Sequence, residues 1–364
     1  MNKNITLFIC SLSSGGAEHQ ITELGRLLIK RGYQVRLVTF ADAEDFYSYP
    51  TEILRIRLAQ GCSTWRKFLS IFRYFITTKS DCVISFGQRE NLLCLLPLLF
   101  RRKIKVINGE RNFTKGRASI LENVLHKCLY RRSDAIVPNS YSQRNYIVEH
   151  NAKLANKVFV ITNYTDINKY TTAPQPNNEI VKIGIFGRYT AQKNCIRFAE
   201  AVSRLKQKVS SKFIIEWYGN QTYKTNQPNE EYIAFANKVK ELNIEECLHL
   251  YDHTHDVTAL MPNFDAIALP SLWEGFSNSI SEAICCGKPM LVSDVSDNSV
   301  MVKDGINGFL FNPLDVEDIC NAFEKFFNTS FEQRNKMGIK SRKIAEELFS
   351  AEKFVNQYIN LIEN

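Results

Sequence analysis

Short apolar runs alternate with longer stretches of helical period along most of the chain. Residues 5–10 (ITLFIC) form an apolar run of strand length. Behind it Ile21, Leu24, Leu27 and Leu28 share one face, which predicts a helix from about Ala17 to Arg31 that Gly32 stops. Residues 33–40 (YQVRLVTF) then return as a strand. The alternation continues with expected strands at 82–86, 105–108, 135–137 and 158–161. Helices are expected at 120–131 and from a Ser140 cap through His150. Regular βα alternation predicts a parallel sheet whose site lies at the C-terminal ends of its strands. Residues 169–179 (KYTTAPQPNNE) are polar, contain two prolines and lack periodicity, so they read as a linker. A second series begins at 180–186, with further strands at 213–218, 248–251, 264–269 and 290–293. Helices follow at 195–206, 315–328, 334–349 and 352–362.

Composition bounds the class. With 364 residues, 45% hydrophobic and 23% charged, the chain suits two globular domains of ordinary size. No apolar stretch approaches the length of a membrane span, and the run after Lys3 is too short for a signal peptide core. Ten cysteines are scattered, with no C-x-x-C, and are expected as reduced thiols in a cytoplasmic protein. The net charge of +8 is uneven: residues 1–170 carry 26 Lys+Arg against 13 Asp+Glu, and the remainder carries an acidic excess. A basic first half faces something anionic, either nucleic acid or a membrane surface.

Chemistry concentrates in residues 270–289, PSLWEGFSNSISEAICCGKP. A strand leads through Glu274 and Gly275 into a helix with Ile280, Ala283 and Ile284 at helical spacing, capped by Ser277 or Asn278 and closed by Gly287 and Pro289. Such a helix start directs amides at an anion. The carboxylates of Glu274 and Glu282 flank it and accept well from sugar hydroxyls. Alone, two glutamates seven residues apart also fit a capped helix with solvated acids. Arg188 and Lys193 follow the first strand of the second half; they can grip a diphosphate, or stand as solvated loop cations. Gly15-Gly16 follows the first strand of the chain, and either marks a ligand loop or lets the helix pack closely.

The string E-G-F-S-N-S-I-S-E resembles the E-x7-E signature of the retaining glycosyltransferases of family 4. G-R-x-x-x-x-K-N at 187–194 and S-S-G-G-A-E at 13–18 resemble that family's other two motifs, in the same chain order. The resemblance covers essentially the whole chain. It implies the α/β GT-B fold, two Rossmann-like domains facing across a cleft, with a C-terminal helix crossing back to the first. The expected boundaries are 1–170 for the acceptor domain, 180–345 for the donor domain and 346–364 for the returning segment.

The resemblance further implies a sugar transfer from a nucleotide-diphosphate sugar, a UDP-sugar before others, to a glycan or lipid-linked glycan. In that reading Arg188 and Lys193 hold the diphosphate, and Glu274 contacts the transferred sugar. Gly15, Gly16 and the amides of Gly275, Phe276, Ser277 and Asn278 line the donor, and Glu282 takes the ribose. Residues 251–257 occupy the base-binding position, with Asp252-His253 where a glycine is usual. On the acceptor side Arg111 stands where many members have histidine, beside Glu110, which either positions the acceptor or forms a surface ion pair. His253 and His255 with Asp252 and Asp256 could bind a metal, but no third motif supports it and no D-x-D is present, so neither metal nor cofactor is expected.

Residues 65–79 and 91–105 bear on the membrane question. Trp65, Phe68, Leu69, Phe72 and Ile76 share a face that is expected to be core. Arg66, Lys67, Arg73, Arg101, Arg102 and Lys103 are expected outside. We therefore expect a cytoplasmic enzyme, peripheral on the inner face of an anionic membrane, with no nucleic-acid partner. A sugar-nucleotide epimerase of the same fold, and a non-catalytic basic binding module, are the alternatives. Isomerisation of donor without acceptor would mark the first; the second leaves Arg188, Lys193, Glu274 and Glu282 without a role.

Overall fold

A computed structural model describes residues 3–13, 15–111, 120–172, 180–222, 227–254 and 256–364. The chain divides into two units. The first comprises Met1–Tyr164 and Ser350–Asn364, the second Thr165–Phe349.

In the first unit β1 (Asn4–Phe8), β2 (Gln34–Thr39), β3 (Leu54–Arg57), β4 (Cys82–Phe86), β5 (Lys105–Glu110) and β6 (Ala135–Pro138) form a parallel sheet in the order β3-β2-β1-β4-β5-β6. Helices α1 (Gly16–Lys30), α2 (Thr64–Thr77), α3 (Gln88–Leu98), α4 (Ile120–Lys127) and α5 (Tyr141–His150) connect these strands. Successive side chains of β1 enter opposite cores, Leu7 on the α1 side and Phe8 on the side of α2 and α3, so the central strands are apolar on both faces.

The second unit repeats the plan. Its strands are β7 (Val181–Phe186), β8 (Phe213–Tyr218), β9 (Leu248–Tyr251), β10 (Ala266–Leu269), β11 (Met290–Ser293) and β12 (Gly308–Phe311), ordered β12-β11-β10-β7-β8-β9 and again parallel. Helices α6 (Cys195–Lys208), α7 (Glu230–Glu241), α8 (Val257–Leu260), α9 (Asn278–Cys285), α10 (Asn298–Met301), α11 (Val316–Phe327) and α12 (Phe331–Leu348) belong to it. The last helix, α13 (Ala351–Glu363), returns to the first unit. Its Phe354, Val355, Tyr358 and Ile362 complete the core lined by Ile21, Leu24 and Leu28 of α1. Lys3 and Tyr33 both bond Glu363 near its end, at 2.7 and 2.9 Å.

The structure amends the sequence reading in four places. The division falls after Tyr164, ahead of the polar stretch, because Ile167 and Tyr170 pack on the second core and Arg342 takes both their carbonyls; residues 173–179 lie outside the described residues. Residues 158–161 run beside β6 with two backbone bonds and one isolated bridge, too few for a strand. The edge strands β3 and β12 were not anticipated. The face of α2 expected to be core is only partly so: Trp65 is 66% and Leu69 47% exposed, Phe68, Phe72 and Ile76 are half-buried, and Ile71 and Phe75 are the residues that face fully inward.

Candidate active site

In each sheet the order reverses beside the first strand, between β1 and β4 and between β7 and β10. Loops leaving such neighbours part to opposite faces and open a crevice at the strand ends. In the second unit these two loops carry the four charged residues singled out from the sequence, or lead directly to them.

After β7 the chain passes through Gly187, Arg188 and Tyr189 into a short 3-10 turn, Ala191–Lys193. Tyr189 is buried and its hydroxyl sits 2.7 Å from the carbonyls of both Trp217 and Tyr251, its one proton shared between them, which fixes the loop on the ends of β8 and β9. Asn194 starts α6 at φ 61, a left-handed position that asparagine tolerates. The loop after β10 is stitched to this one: Leu272 N donates to the Gln192 carbonyl at 2.8 Å, and Gln192 Nε2 to the Trp273 carbonyl at 2.8 Å. Lys193 and Glu274 thereby meet, Nζ to Oε1 at 2.6 Å, with each side chain about a tenth exposed. Glu274 N in turn donates to Ser296 Oγ at 3.2 Å. Arg188 is exposed and has no ion-pair partner among the described residues.

Ser277 is the N-cap of α9, its Oγ accepting from Ile280 N. Phe276 is core, edge-on to Phe349, so only its backbone can face a ligand. Gly275 and Asn278 are half-buried at the helix start. Neither α6 nor α9 has an acidic residue in its first turn, which leaves their amide ends favourable to an outside anion. Glu282 lies further along α9, half-buried. Burial pushes its carboxyl up to about 7, against a hydrogen bond from Tyr170 that favours the ionised form. The sequence reading missed Tyr170, which sat in its linker.

It also missed an aromatic row. Phe186, Tyr218 and Tyr251 are register partners at the ends of β7, β8 and β9 and stack successively at 5.2 and 5.0 Å. Tyr251 ends the row 41% exposed, at the start of the expected base-binding segment. Three large residues closing three consecutive predicted strands were the available signal.

The first unit arranges its charges inward. Gly15 is the N-cap of α1 at φ −161, a conformation open to any residue, and the nearest atoms a Cβ there would meet are those of the Glu18 carboxylate. Gly16 begins the helix, exposed. Gly87, before α3, has φ +117 and a Cβ there would run into the buried Glu90 carboxylate, so glycine is required. Glu110 is buried, not a surface pair. It accepts from Tyr130 Oη and from Gln143 Nε2 at 3.1 Å, and lies 3.0 Å from His126 Nε2. Arg111 stacks on Phe86 at 3.9 Å and donates to Asn163 at 3.3 Å and to Tyr358 of α13. Its guanidinium fastens strand ends to the returning helix.

No group of three or more metal-ligating side chains exists among the described residues. His253 is exposed and bonded to Asp252, and His255 lies outside the described residues.

The pattern described as Glycosyltransferase Family 4 matches residues 14–169, and that described as Glycosyl transferases group 1 matches 166–344. The chain belongs to glycosyltransferase family 4. This glycosyltransferase has the GT-B fold, with two Rossmann-like domains, and is a hexosyltransferase. It is 24% identical over 336 residues, 89% of each chain, to the GalNAc-alpha-(1->4)-GalNAc-alpha-(1->3)-diNAcBac-PP-undecaprenol alpha-1,4-N-acetyl-D-galactosaminyltransferase of Campylobacter jejuni. A shorter match, 29% over 179 residues, joins 46% of the glycosyltransferase to 44% of the UDP-Gal:alpha-D-GlcNAc-diphosphoundecaprenol alpha-1,3-galactosyltransferase of Escherichia coli. Among solved structures, Anabaena HepE in complex with UDP and glucose superimposes with a TM-score of 0.82 at 17% identity over 99% of each chain.

Proposed function

We propose that the enzyme transfers a sugar from a UDP-sugar to a lipid-linked glycan, with retention at the anomeric carbon and without a metal. The observation that carries this reading is the Lys193–Glu274 pair at the switch point of the second sheet. It joins a cation suited to phosphate and a carboxylate suited to hydroxyls, as a sugar phosphate demands. Arg188, exposed on the same loop, supplies a bidentate phosphate contact. Gly275, Phe276, Ser277 and Asn278 offer amides, and Glu282 accepts from the ribose. The printed names of the Campylobacter and Escherichia relatives specify undecaprenyl-linked acceptors, and HepE holds UDP and glucose; these favour the lipid-linked acceptor and the uridine donor.

In the proposed step the acceptor oxygen bonds to the anomeric carbon on the face from which the diphosphate leaves. The bond pair departs with the phosphate oxygen, and the acceptor's proton passes to that oxygen. Arg188, Lys193 and the amide end of α9 stabilise the developing charge. Glu110 and Arg111 shape the acceptor side by stiffening the end of β5. All ten cysteines are free, and no described helix is long and apolar enough to cross a membrane. Both fit a cytoplasmic enzyme working at a membrane surface.

A donor screen against lipid extract, read by mass spectrometry and by the anomeric NMR coupling of the product, tests the reading. A UDP-sugar should be consumed and an α-linked lipid product should appear, unaffected by excess EDTA. Isomerised donor without transfer, or activity restored only by Mg²⁺ or Mn²⁺, would overturn it.

A further inference from the structure

Helix α2 is sparsely buried for its 14 residues. Of its residues only Ile71 and Phe75 are buried, whereas α1 buries eight. At 100° per residue Phe68, Phe72, Trp65 and Leu69 span about one third of the circumference, an arc that starts beside the inward pair with half-buried Phe68 and Phe72 and ends on exposed Trp65 and Leu69. Trp65 stacks on Phe68 at 5.7 Å and Phe68 leans on Phe72 at 6.3 Å, so half-buried rings support exposed Trp65 in a built aromatic row. Leu99 and Phe100, at the end of α3, are 40% and 74% exposed. Arg101 holds that turn against α2, donating to the carbonyls of Ile76 and Thr78.

Charge identifies what covers the stripe. Arg66 and Arg73 project on one flank of it, and Arg102 and Lys103 follow Phe100; all four are exposed and without an ion-pair partner among the described residues. Lys67, by contrast, is paired with Asp42 at 2.5 Å, and Arg101 is engaged with backbone. An apolar ridge edged by free cations and lacking acids on its helix complements the interface of an anionic bilayer, where rings reach the acyl boundary and cations meet headgroups.

We propose that α2 and the α3 end form a wedge that inserts its aromatic row into an anionic membrane surface. This rests on the lipid-linked acceptor reading for its purpose, and brings the enzyme to that substrate. It differs from a purely electrostatic contact in that binding persists when salt screens the cations.

The test uses the full chain and vesicles of phosphatidylcholine with or without phosphatidylglycerol, some carrying brominated acyl chains. Trp65 fluorescence should be quenched by bromine. Trp65→Phe should remove that quenching, leaving buried Trp217 and half-buried Trp273 as internal controls, while sedimentation changes less than about twofold. The pair Leu69→Ser, Phe100→Ser should lower partitioning by about tenfold or more at high salt with Tm unchanged, both side chains being exposed. Sedimentation on anionic vesicles without quenching of Trp65 would overturn insertion. Absence of vesicle binding, with a dimer that the serine pair dissolves, would show that a second copy covers the stripe. Transfer to a detergent-dispersed acceptor is measured alongside. It should survive the serine pair, and its absence from the wild type would sink the functional reading while leaving the quenching result standing.

Discussion

The two sheets have the same strand order and put their crevices at equivalent points, yet they treat charge in opposite ways. In the first unit, α1 and α3 each carry a glutamate in the first turn, Glu18 and Glu90, and the Glu90 carboxylate accepts from its own amide and that of Cys10. The helix ends are already supplied with anions. In the second unit α6 and α9 have none, and a neutral serine caps α9. Two copies of one scaffold are thereby differentiated by where acids sit. A phosphate dianion meets repulsion at one switch point and an amide end plus cations at the other.

The comparison breaks most severely at the Lys193–Glu274 pair. Lys193→Ala should cut turnover at least tenfold and also cost about 2–3 kcal/mol of stability, because it leaves a mostly buried carboxylate unpaired. Adding Glu274→Ala to it should cost little further stability, which a double-mutant cycle by denaturant unfolding will read. Arg188→Ala should match the kinetic loss with Tm almost unchanged, since the side chain is exposed.

Importing the first unit's solution into the second is the next sharpest test. Ser277→Asp keeps a good N-cap, so Tm should hold, but its charge should weaken donor binding by about tenfold, measured by calorimetry with UDP. Glu282 supplies a pH signature. Its ribose contact needs the ionised form, and its carboxyl sits at about 7 in the free enzyme, so donor affinity should rise about tenfold from pH 6 to 8. Glu282→Gln should bind donor weakly and without that slope. Because the folded value lies above the ordinary carboxylate value, this group makes the fold less stable as pH climbs from about 4.5 to 7. The glutamine variant should therefore match or exceed the wild type in Tm at pH 8. The smallest effects concern the glycines. Gly87→Ala should cost about 1–3 kcal/mol of stability, and Gly15→Ala only a few tenths, since only the first is held at positive φ.

Much of this was legible in the residues. The central strands are buried on both faces and announce themselves as apolar runs, and the loops that follow β7 and β10 contain the charged pairs. Edge strand β3 alternates apolar with basic residues, and β12 is a four-residue run too short to stand out behind Gly308. Periodicity located the apolar stripe of α2 but not the side it faces, because an inward and an outward stripe have the same period. Tyr170 read as linker because a contact with Glu282 leaves no local mark. Arg111 resisted reading for the same reason: its partner Tyr358 is 247 residues away.

The return of α13 also sets an order of assembly. The second unit is continuous in sequence, while the first is made of the beginning of the chain and a segment synthesised after the second unit is complete. The first unit therefore emerges earliest and finishes last. Until α13 is delivered, the groove lined by Ile21, Leu24 and Leu28 lies open on the nascent chain, and the guanidinium of Arg111 lacks its tyrosine. The stretch that begins at Ser350 acts as a completion signal: a ribosome that stalls before it leaves an unsealed apolar surface for chaperones and proteases to find.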